Sequence, residues 1–98
     1  MTRGANVVIE NNSFILIDKY LQKFKWHLLK NNKIEKIYKN VSTNDEIIIK
    51  IKDTKINVFV PIGINNIVYQ TVFSTHIQAT EYIKMHILNY HNMHYINY

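Results

Sequence analysis

Glu46-Ile47-Ile48-Ile49-Lys50-Ile51-Lys52-Asp53-Thr54-Lys55-Ile56-Asn57-Val58-Phe59-Val60-Pro61 contains two runs of alternating character either side of a turn. Side chains alternate across a strand, so Ile47, Ile49 and Ile51 share one face and Ile56, Val58 and Val60 share another. Asp53-Thr54 supplies the turn between them, and the pair is expected to form an antiparallel hairpin. Pro61 cannot donate to a ladder, which places the expected strand end there, and Gly63 with Asn65-Asn66 makes the following loop.

Downstream, Ile67-Val68-Tyr69-Gln70-Thr71-Val72-Phe73 is β-branched and aromatic and is expected to form another strand. Thr75 followed three residues later by Gln78 fits a capping box, which starts a helix at Ser74 or Thr75 running to about Tyr90. Ala79, Ile83, Ile87 and Tyr90 form its expected buried stripe.

Upstream, Phe14, Ile17, Leu21, Phe24 and Leu28 recur at spacings of three and four, which predicts a helix from about Ser13 to Lys30. Asn31-Asn32 is its expected stop, because asparagine tolerates the left-handed geometry that ends helices. An alternative reading makes Phe14 to Ile17 a hairpin strand and starts the helix at Asp18. Ile34 to Lys39 mixes charged and apolar residues, as an exposed edge strand does. Val7-Val8-Ile9 leaves room for a short N-terminal strand or an ordered arm.

The expected fold is therefore α+β: an antiparallel sheet of three to four strands with two helices packed on one face, in the order α-β-β-β-β-α. At 98 residues and 47% hydrophobic content the chain suits a single domain, 1–98. Cysteine is absent, which excludes disulfides, thiolate nucleophiles and cysteine zinc sites. No apolar run is long enough to cross a bilayer, and the N-terminus lacks a signal-peptide pattern, so the expected setting is intracellular, cytoplasmic or nuclear, with no membrane partner. Isoleucine, lysine, asparagine and tyrosine make up about half the chain. All four have A/T-rich codons, which suggests a low-GC microbe, virus or mobile element.

A formal charge of +5 favours anionic partners. Lys19, Lys23, Trp26, Lys30 and Lys33 would line the first helix opposite its apolar stripe, where ammonium groups could neutralise phosphates and the indole could stack on a base. These are the candidate nucleic-acid-binding residues; the structural alternative is a solvated helix surface with Trp26 tucked under a neighbouring segment. Lys36, Lys39, Lys50, Lys52 and Lys55 form a second basic group, on strands whose register decides whether the two groups merge. Blunting exposed strand edges against aggregation is the usual role of such lysines and the favoured account of this group.

His86, His91 and His94 lack the carboxylate or further ligand that a metal site needs, so neither metal nor cofactor is expected. The carboxylates are scattered, and no phosphate loop, nucleophile elbow or His-Glu-x-x-His pair occurs. The expected function is a small, basic, non-enzymatic binding module for nucleic acid. Its alternative is a protein-interaction subunit or homo-oligomer assembling through an exposed strand edge or the aromatic tail Tyr90 to Tyr98.

The helix, three strands, helix order is similar to that of double-stranded-RNA-binding domains and of the Alu-domain subunits of the signal recognition particle. Where the first family opens its second helix with a lysine clamp, this chain has Ser74-Thr75-His76-Ile77-Gln78-Ala79, with no lysine before Lys84. The likeness to the second rests on Ile49-Lys50-Ile51-Lys52-Asp53 and Val58-Phe59, a short stretch of the chain. Membership of neither family is assigned.

Overall fold

The computed structural model describes residues 12–62 and 67–92. The chain forms α1 (Asn12–Lys23), β1 (Trp26–Asn31), β2 (Glu35–Asn40), β3 (Glu46–Lys52), β4 (Lys55–Ile62), β5 (Ile67–Phe73) and α2 (His76–His91). The strands make one antiparallel sheet in the order β1-β2-β3-β4-β5, a simple meander. The α+β class and the two flanking helices agree with the sequence reading, and the sheet has five strands where three to four were expected. The expected Val7-Val8-Ile9 strand lies outside the described residues.

The extra strand comes from the second half of the expected first helix. α1 stops at Lys23, where Phe24 and Lys25 donate to the carbonyls of Leu21 and Gln22 at 3.0 and 3.1 Å and tighten the last turn. Lys25 then takes φ 69°, left-handed, and turns the chain into β1. That conformation costs a non-glycine residue roughly 1–2 kcal/mol. The bond from Val41 N–H to the Lys25 carbonyl, 3.0 Å, ties this corner to the end of β2.

Asn32 does use turn chemistry, but in a hairpin: its side-chain oxygen accepts from Ile34 and Glu35 N–H at 3.0 and 2.8 Å. β2 is consequently an inner strand, not the exposed edge expected for Ile34 to Lys39, and Lys36, Tyr38 and Asn40 are buried on one of its faces.

The β3–β4 hairpin forms as expected, with Asp53 and Thr54 at φ 54° and 59° in the turn. β4 differs at its end, continuing through Pro61 to Ile62. Pro61 lies past the last β3–β4 pair, Ile48 with Phe59, and pairs with Val68 of β5, so a residue without N–H is accommodated where the β3 ladder has run out. α2 is capped by Thr75, whose hydroxyl accepts from Gln78 N–H at 3.2 Å, and it buries Ala79, Ile83, Ile87 and Tyr90 as the spacing predicts.

Both helices lie on one side of the sheet. Phe14, Ile17 and Leu21 of α1 and the α2 stripe close over Trp26, Tyr38, Ile47, Ile49, Ile56, Val58 and Val60, all essentially inaccessible to solvent. No helix among the described residues is long and apolar enough to cross a membrane.

Candidate nucleic-acid interface

The register that buries one side of the sheet assigns the other side too. Pairing places Lys30, Ile37, Ile48, Phe59 and Gln70 in one row across all five strands. A neighbouring row runs Glu35, Lys50, Asn57, Val72, and beyond it Lys52 faces Lys55. On the other flank Lys39 pairs with Glu46 and Pro61 with Val68. Among the described residues no helix covers this open face.

Phe59 stands at its centre, half-buried by its strand neighbours. The Lys50 ammonium lies 5.9 Å from its ring centroid, at the outer range of a cation–π contact. Glu35 pins two lysines at once, with Lys30 Nζ at 2.7 Å and Lys50 Nζ at 3.7 Å. The hydrogen bond from Lys30, helped by the charges of Lys30 and Lys50 and opposed by partial desolvation, holds the Glu35 carboxyl below its ordinary range. Gln70 Nε2 donates to Asn57 Oδ1 at 3.1 Å, orienting two amide side chains beside the ring.

Three open grooves cross this face. The largest, about 430 Å³, is lined in part by Glu35, Lys50, Asn57, Phe59 and Gln70. A second of about 250 Å³ runs past Ile48, Phe59, Pro61 and Val68, and a third of about 290 Å³ past Lys52, Lys55, Asn57 and Val72. An aromatic ring within a surround of ammonium groups can stack with a planar base while phosphates meet lysine, and oriented amides can hydrogen-bond base edges.

The candidate residues expected on one helix are dispersed. Lys19 and Lys23 are exposed on α1, in the helical layer behind the sheet. Trp26 opens β1 and is 1% exposed, packed edge-on against Tyr90 at 5.1 Å between ring centroids, so it has no free face for stacking. Lys33 is exposed in the β1–β2 turn, and Lys30 reaches the open face. There it meets Lys39, Lys50, Lys52 and Lys55 of the second group, which register places on the same side. Lys36 points the other way.

Lys36 is 2% exposed beneath α1, with its ammonium 2.9 Å from Asp18 Oδ1 and bonded to the Phe14 carbonyl at 3.4 Å. The Tyr38 hydroxyl also donates to Asp18. Burial, reinforced by that carboxylate, pushes the Tyr38 phenol well above its ordinary range. This group joins helix to sheet, with the Lys36 ammonium buried and Asp18 at its partly exposed rim.

Phe59, Asn57 and Gln70 carry no functional expectation in the sequence reading, and Glu35 figures there only as one of the scattered carboxylates. The available signal was the hairpin alternation itself: if Ile47, Ile49 and Ile51 face the core, Ile48, Lys50 and Lys52 face away. Among the described residues no three histidine, aspartate or glutamate side chains gather as a metal site would require. His94 and the tail tyrosines Tyr95 and Tyr98 lie outside the described residues, while Tyr90 is a core residue bonded to Asp45 and Thr43.

No protein-family model matches the chain, and no significant match is found among curated proteins or solved structures.

Proposed function

We propose that the protein is an intracellular, non-enzymatic module that holds single-stranded nucleic acid on the open face of its sheet. The observation that carries this reading is the position of Phe59, central on a face that no helix among the described residues covers and flanked by Lys30, Lys39, Lys50, Lys52 and Lys55. Five lysines against Glu35 and Glu46 leave this face basic, and Glu35 organises two of them. An open sheet face suits splayed bases better than a duplex, whose bases are already stacked on one another.

The test is fluorescence anisotropy with single- and double-stranded oligonucleotides at two salt concentrations. Single strands should bind more tightly, with affinity falling as salt rises. Phe59→Ala should cost about 1–3 kcal/mol of binding. Lys50→Glu/Lys52→Glu should weaken binding and flatten its salt dependence. Lys19→Glu/Lys23→Glu, behind the sheet, should change little; the opposite ranking of the two charge reversals would refute the open face as the binding surface.

A further inference from the structure

We propose that two copies of this chain pair edge to edge through β5, antiparallel and centred on Gln70, to form one continuous ten-stranded sheet from two sheets of five. This rests on the edge strand alone and is independent of the nucleic-acid reading.

Among the described residues β5 has a strand neighbour on one side only, β4. Its outer edge therefore presents backbone donors and acceptors to whatever strand approaches. Edge strands are usually guarded by a charge, a proline or a bulge. The opposite edge, β1, has Lys30 and a register shift between Leu28 and Lys30. β5 has none of these: Ile67-Val68-Tyr69-Gln70-Thr71-Val72-Phe73 contains no charged residue and no proline, and its register with β4 is unbroken over all seven pairs.

The strand also exposes apolar side chains on both of its faces. Ile67, Val68, Tyr69 and Val72 are 51%, 56%, 58% and 52% exposed. Each is of a type that strands prefer to bury.

The sequence of β5 selects the occupant, because it is close to a palindrome in chemistry. A two-fold axis at Gln70 sets Val68 against Val72 of the second copy, Tyr69 against Thr71, and Ile67 against Phe73. Apart from the central Gln70 pair, whose amides can hydrogen-bond each other, every opposed pair is then apolar or hydroxyl-bearing and lies on one face, as favourable cross-strand pairs do. An isologous contact of this kind closes after two copies and does not propagate. Charge favours the same place: copies with a formal charge of +5 repel one another, and β5 is an edge where contact adds no like-charged pair within the strand.

Size-exclusion light scattering of the full chain over a wide concentration range is the test, with hydrogen exchange of the β5 amides on the same samples. The expected result is a dimer that dissociates on dilution, with β5 protection rising with concentration. Val68→Lys/Val72→Lys, at exposed positions, sets lysine against lysine twice across the axis and should raise the dissociation midpoint roughly a hundredfold or more. Val68→Lys/Val72→Glu sets opposite charges across the same axis and should restore the dimer, which separates a register effect from misfolding. The proposal is overturned by a monomer at all concentrations. It is equally overturned by a dimer that the double-lysine variant leaves intact, by failure of the lysine–glutamate variant to restore pairing, or by protection in the monomer of the outward-pointing β5 amides, those not bonded to β4.

Discussion

The two faces of this sheet use lysine in opposite ways. On the covered face Lys36 is enclosed beneath α1, and its charge is balanced by Asp18 at 2.9 Å. On the open face Lys50, one strand away, shares Glu35 with Lys30 and is half exposed. Lys36 and Lys50 are both strand residues with an acidic partner, yet one is a structural fixture and the other is available to a ligand. Residue type and even pairing do not distinguish the roles. The layer above the side chain does, because removing water multiplies what a charge costs when its partner is lost.

Lys36→Ala should break this comparison most severely. It leaves Asp18 of α1 without its cation and opens a void beneath the helix, and thermal or urea unfolding should show a loss of up to about 3–5 kcal/mol, moderated by the partial exposure of Asp18. The double change Asp18→Leu/Lys36→Met tests whether charge or shape holds the helix. Replacing both partners with apolar groups of similar size should recover most of that loss, less the hydrogen bond that Tyr38 gives Asp18. If the double variant is no more stable than Lys36→Ala alone, packing geometry dominates and the contrast between the faces is one of volume.

Acid should act on the covered face first. Burial lowers the pKa of His86 from its ordinary 6.5, against an opposing backbone hydrogen bond at Pro61. The unfolded chain then takes up this proton more readily than the folded one, so the contribution is complete above pH 6.5 and is lost as pH falls through the folded value. Glu35, also lowered, keeps its contribution above its ordinary 4.5 and loses it only in more acidic solution. His86→Gln should flatten the first part of a stability–pH profile and leave the second unchanged.

The smallest effect is expected at Lys50. Lys50→Ala should change stability by no more than about 0.5 kcal/mol, since exposed ion pairs contribute little. Oligonucleotide affinity should nevertheless fall. A large stability loss at Lys50 would mean that the open face is itself structural, and would remove the contrast.

The residues that were legible in sequence are those whose signals are local. Thr75 and Gln78 mark the start of α2, and the alternation of Ile47, Ile49 and Ile51 marks β3, without help from distant partners. The break at Lys25 had no such mark, because Phe24 and Leu28 continue the helical spacing and the left-handed residue is a lysine, not a glycine or asparagine. Lys36 read as an edge-strand charge because its partner, Asp18, lies on another element. For the binding face, lysine alternation was visible within the hairpin. Its merger with Lys30 depended on the β1–β2 register, and that register depended on recognising β1 as a strand.

The strictly sequential strand order also shapes how the molecule folds. Each strand pairs with its neighbour in the chain, so the sheet can grow by hairpin closures of the kind that take about 1–10 μs in isolation. Bringing the helices together is different: the Tyr20 hydroxyl bonds the Lys84 carbonyl at 3.4 Å across 64 positions of sequence. That closure carries the largest loop entropy in the fold. Stopped-flow refolding should accordingly show the helix–helix contact forming last, with the isoleucine face of the meander transiently wet until both helices settle on it.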